Sequence, residues 1–161
     1  MNMNPEIKIL SPKKLVGMSI NTSLSDYGAP GLWQRFMPQV KSIENKVGGE
    51  KYSIQIYDHL FSYSDFHPKL IFKYWVATEV QNFEAVPNEM ETLELSGGKY
   101  AVFIHEGTVA DFQKTLNFIH LEWLPQSEFE LDNRPHFELL DERYLGPNNS
   151  KSIEEVWVPV K

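Results

Sequence analysis

The sequence predicts an α+β fold of two strand–helix–strand–strand (βαββ) units in a pseudo-twofold arrangement, with antiparallel sheets and a central cleft. Three observations predict it. A turn-like lead, a lysine and an apolar strand occur twice, in "SPKKLVGMSI" (11–20) and "LSGGKYAVFI" (95–104). Each is followed by an apolar pattern at helical spacing, then by a short strand and a strand carrying a tryptophan. The distance between equivalent positions stays nearly constant: 85 residues for Lys14 and Lys99, 83 for Ile54 and Phe137, 82 for Trp75 and Trp157.

Each element has its own justification. Leu32, Trp33, Phe36, Met37 and Val40 recur at helical spacing, and Pro38 either kinks that helix or begins a second short one. "YSIQIYD" (52–58) and "FKYWVATEV" (72–80) read as the strands that complete the first unit. In the second unit, Val109, Phe112, Leu116, Ile119 and Trp123 define the helix. Thr108 with Asp111 three residues later forms a capping box that satisfies otherwise orphaned amides, and Pro125 marks the helix end. "PHFELLD" (135–141) and "IEEVWVPVK" (153–161) are the closing strands. The segments "SDYGAPG", "KVGGE", "YSDFHPK" and "LGPNNSK" are turn-rich loops, and none has the length or composition of an inter-domain linker.

The chain of 161 residues is read as one domain, with halves at about 8–82 and 90–161. Its composition is that of a globular protein: 42% hydrophobic and 23% charged. Fifteen Lys and Arg against 22 Asp and Glu give a net charge of −7, which argues against nucleic acid as a direct partner. The absence of cysteine removes disulfides, thiol nucleophiles and Cys-based metal sites. Neither a signal-peptide core nor a run of membrane-spanning length is present, so a cytoplasmic protein with no membrane association is expected. The five histidines show no compact ligand spacing, and no phosphate-binding loop or nucleophile elbow is found. No metal and no cofactor are expected.

One acid stands out. In "RPHFELLDERY" side chains alternate between faces, placing Phe137 and Leu139 on one side and His136, Glu138 and Leu140 on the other. Two units of this kind, each with one helix for one face of a three-stranded sheet, leave a cleft at their junction, a common place for a small-molecule pocket. Aligned with the first unit, Glu138 corresponds to Gln55, so the two halves share a polar position and only one charges it.

The order of elements, the strand "GKYAVFIHEG" running into a helix that ends "EWLPQS", the Pro-x-Phe-Glu strand and the terminal "VWVPV" resemble the GyrI-like family. Its members are effector-binding domains at the C-termini of AraC-type and MerR-type multidrug regulators, and also free-standing proteins. The resemblance covers about Lys8 to Lys161. It implies a cleft lined by aromatics that takes up lipophilic cations, with a glutamate in the penultimate strand as counter-charge; that position is Glu138. The aromatic candidates are Trp33 on the first helix, Tyr57 and Trp75 in the first half, and Phe103 and Trp157 in the second. Trp75 is chosen over its neighbour Tyr74, since only one of the two can face the cleft, and because its counterpart Trp157 recurs. Two departures are visible: the family often has Tyr where this chain has Trp157, and Gly-Pro-Tyr where it has Gly107, Thr108 and Val109.

The leading expectation is therefore a binding module for small amphipathic, cationic ligands. One alternative is a hydrolase of strained-ring electrophiles, using Glu138 to activate water. Another is a protein-binding inhibitor of the gyrase-inhibiting type. The partners expected are the small ligand and a regulator or gyrase, with the chain as a monomer or homodimer.

Overall fold

The apolar alternation read above becomes strands, and the helical spacing becomes helices, in a computed structural model that describes residues 4–161; the first three residues of the N-terminal stretch lie outside it. The elements are β1 (Glu6–Leu10), β2 (Lys13–Thr22), α1 (Ala29–Phe36), β3 (Lys51–Ile56), β4 (Phe72–Val80), β5 (Glu91–Leu95), β6 (Gly98–Glu106), α2 (Val109–Asn117), α3 (Leu124–Gln126), β7 (His136–Leu140) and β8 (Ile153–Pro159). Pro38 opens a separate 3-10 turn over Met37–Ser42, where a missing amide proton costs nothing. Thr108 and Asp111 form the anticipated capping box on α2. Beyond α2 the helix widens to π geometry over Phe118–Trp123 and runs on to Gln126, because Pro125 falls in the first turn of α3. No helix among the described residues is long and apolar enough to cross a membrane.

The described strands form one antiparallel sheet in the order β1-β6-β8-β7-β3-β4-β2-β5, not two separate three-stranded sheets. The joint lies between β3 and β7, with Ser53 opposite Glu138 and Ile54 opposite Phe137. Strands β1 and β5 are additions to the sequence reading. Each pairs with the far side of the sheet: β1 with β6, and β5 with β2.

That exchange dictates the shape. Strand β1 lies at one edge and β2 sits beside the other, yet only Ser11 and Pro12 connect them. Three Cα steps reach about 11 Å. Ser96 and Gly97 make the matching crossing from β5 to β6. The sheet must therefore curl until its edges nearly meet. The two crossings touch: Gly97 has φ of 85°, and a Cβ there would lie 2.4 Å from the Leu10 carbonyl oxygen.

The curl buries one face without any helix. Its core draws on all eight strands, including Leu10, Leu15, Tyr52, Trp75, Leu95, Tyr100, Phe137 and Trp157. On the outer face, α1 packs Leu32 and Phe36 on β2 and β4, and the second helical segment packs Ile119 on β6 and β8. Between the helices the central strands β3 and β7 stay uncovered by either. This gap positions the site.

Candidate ligand-binding site

Strand alternation sends Ser53 and Gln55 of β3, and His136, Glu138 and Leu140 of β7, into the gap between the helices. Two adjoining chambers occupy it. The first, about 610 Å³, lies toward Lys51 and Leu140 and is walled by Trp33, Tyr74, Tyr144 and Glu154. The second, about 530 Å³, lies toward Tyr57 and His136 and is walled by Phe61, Tyr63, Phe66 and His120. Glu138, Tyr27, Val109 and Phe112 border both.

Glu138 is the centre of this arrangement. Gln55 Nε2 donates to its Oε1 at 3.0 Å. Removal from bulk water pushes its pKa up to about 8, the neighbouring Glu154 adds to the rise, and hydrogen bonds from Gln55 and Ser53 pull it partly back. Glu154, on the same face of β8, is itself raised to about 7 by burial. No lysine or arginine among the described residues forms an ion pair with either acid. The third acid of the first chamber, Asp141, differs: Arg143 holds it at 2.8 Å and keeps its pKa low.

The aromatic walls are fixed by hydrogen bonds. Trp33 Nε1 donates to Tyr74 Oη at 2.9 Å, and Ser53 Oγ lies 2.6 Å from the same oxygen. Burial raises the pKa of Tyr74, Tyr57 and Tyr27, the last to about 12, and the charge of Glu138 contributes to each. These phenols remain neutral across the physiological range, so they add rings and dipoles to the cleft without adding charge.

The sequence-predicted residues divide accordingly. Glu138 and Trp33 meet at the first chamber, and Glu138 and Tyr57 at the second. Trp75 is not in the cleft: it is 5% exposed and belongs to the inner core, and Tyr74 takes the outward position. Trp157 borders the second chamber, but its ring stacks on Phe137 at 5.2 Å in the same inner core. The register explains the recurrence that favoured them, since Trp75, Ile54, Phe137 and Trp157 form one cross-strand row. Phe103 is fully buried beneath the second helical segment, edge-on to Trp123. Sequence reasoning missed Glu154, Tyr27, Tyr74 and Phe61. Glu154 left a signal, sharing strand parity with the apolar Val156 and Val158 in "IEEVWVPV", and Tyr74 is the rejected alternative to Trp75 on the same strand.

No cluster of His, Asp and Glu suited to a metal ion occurs among the described residues. His105, inside the β6–α2 junction, is occupied by Thr115 Oγ1 at 2.7 Å and the Thr108 carbonyl.

Comparison with known proteins agrees with this architecture. A curated relative is the transcriptional regulator BrlR of Pseudomonas aeruginosa PAO1, 28% identical over 99% of this chain; the chain spans 56% of that protein's length. Among solved structures of similar fold, SAV2435 bound to tetraphenylphosphonium has a TM-score of 0.70 at 22% identity, covering 100% of this chain and 94% of its own. A hydrolase encoded by the Listeria innocua genome has a TM-score of 0.59 at 12% identity, covering 98% and 92%. The family described as GyrI-like small molecule binding domain matches residues 3–161, and the chain belongs to it.

Proposed function

We propose that this domain binds lipophilic organic cations, with Glu138 as the principal counter-charge and Glu154 as a second acid nearby. The observation that carries the reading is a pair of carboxylates without cationic partners inside an aromatic cleft. A buried acid with no counter-ion is costly, and protonation or a cationic guest relieves that cost. Cations with delocalised or shielded charge lose least on leaving water. Aromatic faces at Trp33 and Tyr74 each add roughly 0.5–2 kcal/mol by cation–π attraction. That SAV2435 takes up tetraphenylphosphonium on the same fold supports this reading.

The scaffold is read as one domain built from two βαββ units about a pseudo-twofold between β3 and β7, each extended by an exchanged edge strand. A single charged strand position at that junction suits a single cation. Isothermal titration of tetraphenylphosphonium against wild type and Glu138→Gln tests the role of the acid. A loss of about 10- to 100-fold is expected, since Coulomb attraction at partly buried sites is worth a few kcal/mol. Unchanged affinity overturns it.

The hydrolase reading rests on the buried position of Glu138 among aromatic walls, where loss of hydration pushes its pKa up to about 8, toward the range of a general base. Turnover of epoxide and other strained-ring electrophiles, abolished in Glu138→Gln, would favour it. Inertness toward a broad panel leaves binding alone.

A further inference from the structure

Resting on the cation reading above, we infer that the second chamber is a subsite for an uncharged aromatic arm of the same ligand, so that the preferred ligands are elongated and bipartite. The two chambers adjoin at Glu138, which borders both together with Tyr27, Val109 and Phe112. They follow each other along the central strands: Lys51 and Ser53 floor the first, Gln55 and Tyr57 the second. From Lys51 to Tyr57 that floor runs about 20 Å at the usual strand rise. The first chamber alone, at about 610 Å³, already holds a drug-sized molecule, so the further 530 Å³ exceeds what a compact cation needs.

The chemistry of the two chambers differs. Beyond Glu138, the titratable groups facing the second chamber are Tyr27, Tyr57, Tyr63, His120 and His136. Burial lowers both histidines, to about 4 and about 3, so they are neutral at physiological pH; the tyrosines are shifted upward. What remains is a neutral aromatic box. Phe61 meets Tyr57 at 4.6 Å, His120 at 5.3 Å and His136 at 5.3 Å, and Tyr63 stacks on His120 at 4.9 Å. Such edge and face arrangements accept another ring. Nothing there would repay the desolvation of a second charge.

One wall of the box is a loop. The β3–β4 connection carries Phe61, Tyr63 and Phe66, and the Tyr63 hydroxyl joins it to Gln113 and Asn117 of α2. Under it, His120 Nδ1 is buried without a hydrogen-bond partner among the described residues. The box therefore retains polar capacity for a ring bearing a hydrogen-bonding group.

The test compares two probes, tetraphenylphosphonium and a triphenylphosphonium joined through a four-carbon linker to naphthalene. Each is titrated against wild type, Leu116→Trp, Phe61→Ala and Glu138→Gln. Leu116 lines the second chamber and not the first, and a tryptophan there adds bulk that narrows it. The naphthyl probe should bind wild type at least tenfold tighter than tetraphenylphosphonium. Leu116→Trp should erase that gain and change tetraphenylphosphonium affinity less than twofold. Phe61→Ala, which removes a wall without adding bulk, should erase part of the gain and covers the case in which the larger side chain fails to fold. Equal affinity of the two probes for wild type, or equal weakening of both by the chamber variants, overturns the proposal. Glu138→Gln separates the two readings: if it spares both probes while the chamber variants still remove the naphthyl gain, the counter-charge reading fails and the aromatic subsite stands.

Discussion

On the inner face of the sheet, Trp75 and Trp157 flank Ile54 and Phe137 in one cross-strand row. On the cleft face the neighbours across the same joint are unlike: Ser53 and Gln55 come from β3, His136 and Glu138 from β7. The inner face has only to fill a closed curl, and similar large side chains from each side do that well. The outer face borders two chambers of different chemistry, and a single carboxylate divides them. Resemblance between the halves thus marks packing, and departure from it marks the candidate site.

Three perturbations sharpen that contrast. The largest effect is expected on the inner row, where Phe137→Ala or Trp157→Ala should cost about 3–5 kcal/mol of stability. Chemical denaturation reads this directly. A loss below about 1 kcal/mol would show that the curl does not depend on this row.

A smaller effect tests whether the acid must come from β7. Gln55 Nε2 already touches Glu138, so the exchange variant Gln55→Glu with Glu138→Gln places the acid on the adjacent strand of the same floor. It should recover about tenfold of the tetraphenylphosphonium affinity lost in Glu138→Gln. No recovery would mean that the position, and not the charge alone, is required.

The smallest effect is on the stability of the ligand-free protein as pH changes. Glu138 and Glu154 have folded pKa values raised above those of free carboxyls. A raised acid stabilises the fold fully below its unfolded pKa, and that contribution is lost as pH climbs through the folded value. His120 and His136 work oppositely, because their depressed pKa values weaken the fold only as pH falls below about 6.5. From pH 6.5 to 8.5 the unfolded-state histidines are at most half protonated, so the acids dominate the window. Thermal stability should decline across it, and Glu138→Gln should flatten the decline and raise the melting temperature at pH 8.5. An identical slope in both proteins would show that Glu138 is already ionised at pH 6.5.

Much of this was legible in the sequence, for identifiable reasons. Period-two and period-3.6 patterns located β2, β3, β4, β6, β7, β8 and both main helices, and strand parity placed Glu138 opposite Phe137. Strands β1 and β5 escaped notice because each pairs with a strand distant in the chain, β1 with β6 and β5 with β2, and neither carries an aromatic residue to mark it. Their shared spacing, Glu6 to Glu91, was an available clue. Trp75 and Phe103 were misassigned for a different reason. Aromatic identity does not distinguish a ring that fills a core from one that lines a cleft; only the face does, and the face of β4 depended on the closure of the sheet. Tyr27 and Phe61 sit outside regular elements, where no periodicity announces their direction.

The central claim is that Glu138 is the counter-charge for a bound cation, and its most direct test is tetraphenylphosphonium affinity as a function of pH. With a carboxyl titrating near 8, the empty site is largely protonated at pH 6, and a cation must displace that proton. Titration calorimetry of wild type and Glu138→Gln at pH 6.0, 7.5 and 9.0, in buffers of differing ionisation enthalpy, measures both affinity and proton release. Affinity should rise at least tenfold from pH 6 to 9 in wild type, with proton release at pH 6 and 7.5, and Glu138→Gln should show a flatter, weaker profile with less release. Equal affinity at all three pH values in both proteins, with no proton released, would contradict it.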